Sequence, residues 1–322
     1  MKNILITGGA GYVGSHIAEL FLKKKFKVFI VDNLSTGYKR LINKKSHFYF
    51  CDIKNYKKIR NIIIKNKIDS IIHCAAKLSV EESQKNPEIY YKNNVIGTLR
   101  LINACKNTLV KNFIFSSTCA VYGGRLKVVK ETSPILPESN YGKTKYKAEL
   151  HIKNNLKQVN FCILRYFNVV GASKSRNLGQ INANGQLFKN LSIQSLKSNP
   201  QINIYGSNYN TPDGTCIRDY IHVLDLADIH FKALNKIKKN NHSIILNCGY
   251  GKGYSVLEIV KSFEKVSKKN FKINYLPRRK GDIIEIIADI KKMKQYLKWK
   301  PKYSKLSVAI KNAIQWEKLL KV

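Results

Sequence analysis

Short apolar runs alternate with helical periodicity through the first half of this 322-residue chain. Runs of apolar and β-branched residues at 3–6, 27–31, 47–51, 70–73, 112–116 and 161–166 predict strands. Between them, apolar positions spaced three and four apart predict helices at 12–24, 56–66 and 140–156. Pro87 opens a further helix, predicted to reach residues 105–107. Strands and helices joined by short links predict a parallel sheet covered on both faces, with right-handed crossovers.

After Tyr166 the rhythm is less regular. Residues 171–185 are rich in Gly, Asn and Ser and read as loop. Strands are predicted at 202–205, 244–247 and 272–275, and helices at 223–236, 255–268, 290–297 and 305–320. Ser255 is the expected N-cap of the second of these helices. The expected architecture is α/β. A Rossmann-type doubly wound domain (1–166) precedes a smaller, interleaved C-terminal substrate-binding domain (167–322).

Composition narrows the function classes. Apolar residues make up 44% of the chain, so it has the apolar surface a packed core needs. The formal charge of +38 raises the question of a nucleic-acid or membrane partner. The excess is spread out, with 30 basic and 10 acidic side chains in residues 1–165 and 28 and 10 in 166–322. Of the 58 basic residues, 49 are Lys and only nine are Arg. A specific nucleic-acid surface concentrates charge and favours Arg forks, so the Lys excess reads as a solvated surface. No apolar run approaches the roughly 20 residues of a membrane helix, and no signal-peptide core precedes the first strand. Seven scattered cysteines without a CxxC pair support neither a disulfide framework nor a metal site, and a reducing cytoplasm is expected.

Candidate chemistry begins after the first strand. Gly8, Gly11 and Gly14 satisfy GxxGxxG, and Gly9, Gly11 and Gly14 satisfy GxGxxG, where the chain turns from strand to helix. Such glycines allow a tight turn, backbone approach to a pyrophosphate and close helix–sheet packing. The helix N-terminus then offers N–H groups to the phosphates. Asp32 ends the next strand, where a carboxylate binds ribose hydroxyls and repels a 2′-phosphate, so the expected cofactor is NAD. Asp52, after the third strand, either meets the adenine edge or caps the following helix.

Tyr141 and Lys145 stand four apart on one helix face. An ammonium beside the phenol is expected to lower its pKa and suit it to general-base work. Ser116-Ser117-Thr118 ends a strand at the carboxyl edge of the sheet, where Thr118 is placed to bond the reacting hydroxyl.

Together these residues resemble the extended short-chain dehydrogenase/reductase family, and within it the sugar-nucleotide 4-epimerases. The resemblance runs through residues 7–16, 32–37, 93–98, 116–123, 141–145, 164–168, 213–223 and 277–282. It implies that Tyr12, Val13, Asn33, Ile53, Asn93 and Tyr166 join the Gly loop, Asp32 and Asp52 around NAD. Lys145 would also position the nicotinamide ribose. The implied reaction interconverts UDP-galactose and UDP-glucose through a transient 4-keto sugar. Tyr141 removes the 4-hydroxyl proton with the help of Thr118. The resemblance further implies that Asn168 holds the sugar nucleotide, that Arg218 and Arg279 bind its diphosphate, that Asp282 binds the ribose, and that Tyr205 lies near the base. A homodimer built on helices near 87–107 and 140–156 is expected by the same analogy.

The chain departs from the family pattern in places. Thr118 replaces a common Ser but keeps the hydroxyl, and Gly185-Gln186 stands where paired Asn is expected for uridine contacts. Ile286 replaces the Tyr of members restricted to unacetylated sugars, which is expected to admit UDP-GlcNAc and UDP-GalNAc or else to reflect simple strand packing. Dehydratases and decarboxylases of the same fold carry acidic residues after the active-site hydroxyl. Cys119-Ala120 supplies none.

Overall fold

The computed structural model describes residues 2–173, 175, 177–182, 186–279 and 282–320. Gly185, Lys280 and Gly281 of the motifs above lie outside the described residues. The chain forms two compact units.

Unit 1 comprises residues 1–121, 135–166 and 227–246. It opens with β1 (Asn3–Thr7), α1 (Tyr12–Lys23), β2 (Lys27–Asp32), β3 (His47–Phe50), α2 (Tyr56–Lys65) and β4 (Ser70–His73). It continues through α3 (Val80–Lys85), α4 (Pro87–Tyr90), α5 (Gly97–Cys105), β5 (Asn112–Thr118), α6 (Asn140–Asn155) and β7 (Asn160–Tyr166). The seven-stranded sheet has the order β11-β7-β5-β4-β1-β2-β3, with β11 at Ile244–Cys248. β3 through β7 pair in parallel. The order reverses between β1 and β4, the switch point where doubly wound sheets take ligands.

The local chemistry follows the sequence closely here. β1 and β4 are buried along their whole length because helices cover both faces. α2 buries Ile59, Ile62 and Ile63 and leaves Lys57, Lys58 and Lys65 in solvent. Its N-cap is Asn55, which accepts from the Lys58 N–H at 3.1 Å, so Asp52 does not cap it. The helix expected from Pro87 to 105–107 is not uniform. A π-helical turn at Tyr91–Ile96 separates α4 from α5. The wide turn brings Asn94 inward, where it bonds the Lys77 backbone in both directions and reaches Thr144 Oγ1 at 3.2 Å.

Unit 2 comprises residues 122–134, 167–226 and 247–322. The chain therefore crosses between units several times: residues 122–134 join unit 2 and residues 227–246 join unit 1. Its mixed sheet has the order β12-β10-β14-β6, with β8 also paired to β10. These strands are β6 (Val128–Val129), β8 (Asn168–Val170), β10 (Ile217–His222), β12 (Gly253–Ser255) and β14 (Glu285–Ala288). A second, two-stranded sheet joins β9 (Gln201–Tyr205) to β13 (Lys272–Leu276). Helices α7 (Leu187–Gln194), α9 (Val256–Ser267) and α11 (Leu306–Leu320) pack Leu191, Ile259, Phe263 and Ile310 into its core. Ser255 caps α9 in a full capping box with Glu258. α8 (Val223–Asn240) links the units in sequence, and α10 (Lys291–Leu297) precedes α11. Among the described residues no helix is long and apolar enough to cross a membrane.

Candidate active site

The Gly loop follows β1 as the sequence requires. Gly8 has φ +71, and a Cβ there would lie 2.6 Å from the Ala75 backbone nitrogen. A Cβ on Gly14 would strike the Gly8 carbonyl, so α1 could not come so close to the loop with any other residue. Gly11 is the N-cap of α1, and Tyr12 and Val13 are its first residues. The first turn thus offers backbone N–H groups and a positive dipole end beside a cradle that side chains would fill. A dinucleotide pyrophosphate fits that donor set. Asp32 ends β2, and its carboxylate accepts from the Ala10 N–H at 3.0 Å and the Leu34 N–H at 2.8 Å. It therefore pins the loop while keeping further lone pairs. Burial raises its pKa against those two bonds.

The remaining cofactor candidates divide by environment. Asn33 donates to Asp52 at 3.0 Å, tying the ends of β2 and β3 together. Ile53 is buried and lies against Gly97, where a Cβ would come within 2.6 Å. Asn93 is half-buried in the π-helical turn and donates to Asn94. Tyr166 ends β7, with its hydroxyl 2.7 Å from Ser116 Oγ and 2.5 Å from His230 Nε2.

Tyr141 lies in the first turn of α6, capped by Ser139. Its backbone N–H donates to the buried Ser83 hydroxyl at 3.0 Å. Burial pushes the phenol's pKa up; the nearby Thr118 hydroxyl opposes this, but the net shift is upward. The expectation of a phenol lowered by Lys145 is not met. The Lys145 ammonium lies 4.2 Å from the Phe115 ring centroid, and Lys145 is not among the groups that shift the phenol. Losing water costs a phenolate more than one hydrogen bond returns. Burial also pulls Lys145 down to about 8, opposed by Cys74 and Glu149.

Two features escaped the sequence reading. A Cβ on Gly142 would come 2.5 Å from the Ala120 carbonyl, so this glycine lets α6 touch the loop that carries Thr118. A glycine in the first turn of a helix, next to the candidate base, was the available signal. His73 lies 2.7 Å from Thr7 Oγ1 and 2.9 Å from Thr98 Oγ1, and burial pulls it down to about 3, so this imidazole is neutral.

In unit 2 the candidates fall into two groups. Arg279 forks onto Asp282 at 2.9 and 3.3 Å, and its guanidinium lies 4.7 Å from the Tyr205 ring centroid. Three assigned residues thus share one place, with Asp282 already paired to Arg279. Arg218 is on β10, where Nη1 donates to the Ile217 and Ile284 carbonyls. Ile286 pairs with it in register and is 1% exposed. Asn168 is exposed at the start of β8, opposite Tyr220. Next to Arg218, the buried Asp219 accepts from the Tyr250, Gly251 and Ala288 N–H groups, and burial raises it to about 6.

Known proteins are similar to this chain in sequence and in fold. The UDP-glucose 4-epimerase of Azospirillum brasilense is 36% identical over 324 residues, 98% of this chain and 92% of its own length. The crystal structure of UDP-glucose-4-epimerase from Stenotrophomonas maltophila, with bound NAD and formylated UDP-arabinopyranose, matches with a TM-score of 0.95 at 32% identity. That match covers 100% of this chain and 99% of the other. The UDP-Glc/GlcNAc 4-epimerase of Campylobacter jejuni matches with a TM-score of 0.85 at 40% identity, over 99% and 100% of the two chains. Residues 4–249 match the NAD dependent epimerase/dehydratase family. With the Gly loop, the switch point and the Tyr141–Thr118 pair in place, this chain belongs to that family.

Proposed function

We propose that the protein is a UDP-glucose 4-epimerase that interconverts UDP-galactose and UDP-glucose with tightly bound NAD. The observation that carries this reading is the buried Tyr141 phenol with the Thr118 hydroxyl near enough to act on it, at the carboxyl edge of a doubly wound sheet whose first strand leads into the Gly loop. The Gly8–Gly14 loop and Asp32 would hold NAD, which when bound would supply reversible hydride transfer at sugar C4. Tyr141 receives the 4-hydroxyl proton, and Thr118 orients that hydroxyl and relays the proton. Lys145 supplies positive charge and holds the nicotinamide ribose. Asn168 and Tyr205 contact the sugar nucleotide, while Arg218 and Arg279 take the diphosphate as guanidinium forks. Asp282 takes the uridine ribose. In this reading the cofactor domain is residues 1–166 and the substrate domain 167–322, with the exchanged segments noted above. Cys119-Ala120 argues against elimination chemistry. Incubation with UDP-glucose separates the reactions, since epimerisation conserves mass and dehydration or decarboxylation does not.

Acceptance of the N-acetylated pair is a finer proposal. It rests on Ile286 and on the likeness to the Campylobacter jejuni protein. Equal enzyme assayed on both pairs decides it, and no turnover of UDP-GlcNAc removes it. We also propose a homodimer through the helices of unit 1, where Ile89, Tyr91 and Leu150 are exposed apolar residues. Light scattering on the eluting peak tests it, and a strict monomer refutes it. The cytoplasmic location is proposed on the seven thiols, which no disulfide links.

A further inference from the structure

α6 carries a third titratable residue on the face that bears Tyr141 and Lys145. Glu149 stands four residues beyond Lys145 and is fully buried. Its Oε1 accepts from Ser117 Oγ at 2.5 Å and Arg165 Nε at 3.0 Å, and its Oε2 accepts from Arg165 Nη2 at 2.7 Å. Arg165 is 1% exposed and is the largest fully buried side chain described. A buried pair of this kind is weak evidence for stability, because apolar residues of similar volume usually serve as well. Its partners suggest another use. Ser117 precedes Thr118 on β5, Arg165 precedes Tyr166 on β7, and the two pair in register. One carboxylate thus grips both strands next to candidate site residues. A slip of α6 by one residue, about 1.5 Å, would break the fork.

We propose that Glu149 is a positioning residue of the reaction assigned above: clamped by Ser117 and Arg165, it fixes the register of α6 so that Tyr141 meets Thr118, and it faces Lys145 with a counter-charge. The groups around Lys145 support the second role. From β4 and the residue after it come His73, neutral with a pKa of about 3, and Cys74, a thiol pushed up to about 11. Phe115 of β5 is apolar, and the Tyr141 phenol of α6 is pushed up. Of the two groups that raise Lys145, Cys74 is uncharged at neutral pH, which leaves the Glu149 carboxylate.

This rests on the proposed function, so the test includes a readout independent of substrate. Wild type, Glu149→Gln, and the charge-balanced pair Glu149→Leu with Arg165→Met are purified with bound cofactor. Cofactor content, melting, kcat and KM for UDP-galactose are measured from pH 6 to 10. The Lys145 amine is titrated separately by peptide-mapped acetylation against pH. The double variant covers the case in which Glu149→Gln leaves Arg165 uncompensated and fails to fold. In folded variants kcat should fall about tenfold while KM moves less than about twofold. The Lys145 half-point should drop by about half a unit or more, taking the alkaline limb of kcat with it. A folded, cofactor-bound variant with an unmoved Lys145 titration and the wild-type limb overturns the proposal, whatever its kcat. Inactivity of wild type on UDP-galactose would fall on the function, and the acetylation titration would still decide the role of Glu149.

Discussion

Tyr141 and Lys145 carry opposite demands from one cause. Burial pushes the phenol up and the ammonium down. Replacing Tyr141 with Phe removes the proton acceptor and leaves the helix intact, so kcat should fall by about 10²–10⁴ with cofactor still bound. Lys145 has a folded pKa of about 8, below its ordinary value of 10.5. Its charge is present below that pH and lost above it, so kcat should decline as pH rises through about 8. A profile flat to pH 10 would contradict this. Asp219 runs the other way, from 3.8 to about 6. Its folded pKa is raised, so the contribution it makes is full below about 4 and lost as pH rises through 6. Thermal melts of Asp219→Asn should lack that part of the slope between pH 4 and 6. A slope equal to that of wild type would refute the assignment.

At the scale of elements, the approach of α6 to the Thr118 loop depends on Gly142. Gly142→Ala places a Cβ 2.5 Å from the Ala120 carbonyl. It should destabilise the protein by about 1–3 kcal/mol and lower kcat more than it raises KM. Denaturant melts and steady-state kinetics check both. Unit 1 was legible from the sequence because its strands are continuous apolar runs with a Gly loop and helices of clear period between them. β10 was not foreseen as a strand, and β14 only as the strand-packing alternative for Ile286. In β10, Arg218, Asp219 and His222 interrupt the apolar signal, and the buried charge is satisfied by backbone N–H groups from other segments. The π-helical turn left no mark on the periodicity either, since Asn94 is inward only through contacts with Lys77 and Thr144. The placement of Tyr141 in a helix and of Thr118 and Asp32 at strand ends could be read from the sequence. That Arg279 and Asp282 pair with each other could not, because residue types alone do not separate a paired Arg and Asp from two independent ligands.

For the molecule as a whole, the +38 charge is mostly Lys and is shared by both halves of the sequence. Such a surface attracts a dianionic sugar nucleotide from a distance, an effect screened within about 8 Å at physiological salt. kcat/KM should fall as salt rises while kcat holds. A salt-independent kcat/KM would show that steering contributes nothing. The few arginines carry local tasks instead, such as Arg165 on Glu149 and Arg279 over Tyr205. In the function proposed above, one buried phenol, that of Tyr141, carries the proton transfer of UDP-sugar epimerisation. The direct test is conversion of UDP-galactose to UDP-glucose by the purified protein without added NAD, alongside Tyr141→Phe. Turnover by wild type, NAD released on denaturing both proteins, and loss of turnover in the variant are the predicted results. Unchanged turnover in Tyr141→Phe, or none from wild type carrying NAD, would contradict the account.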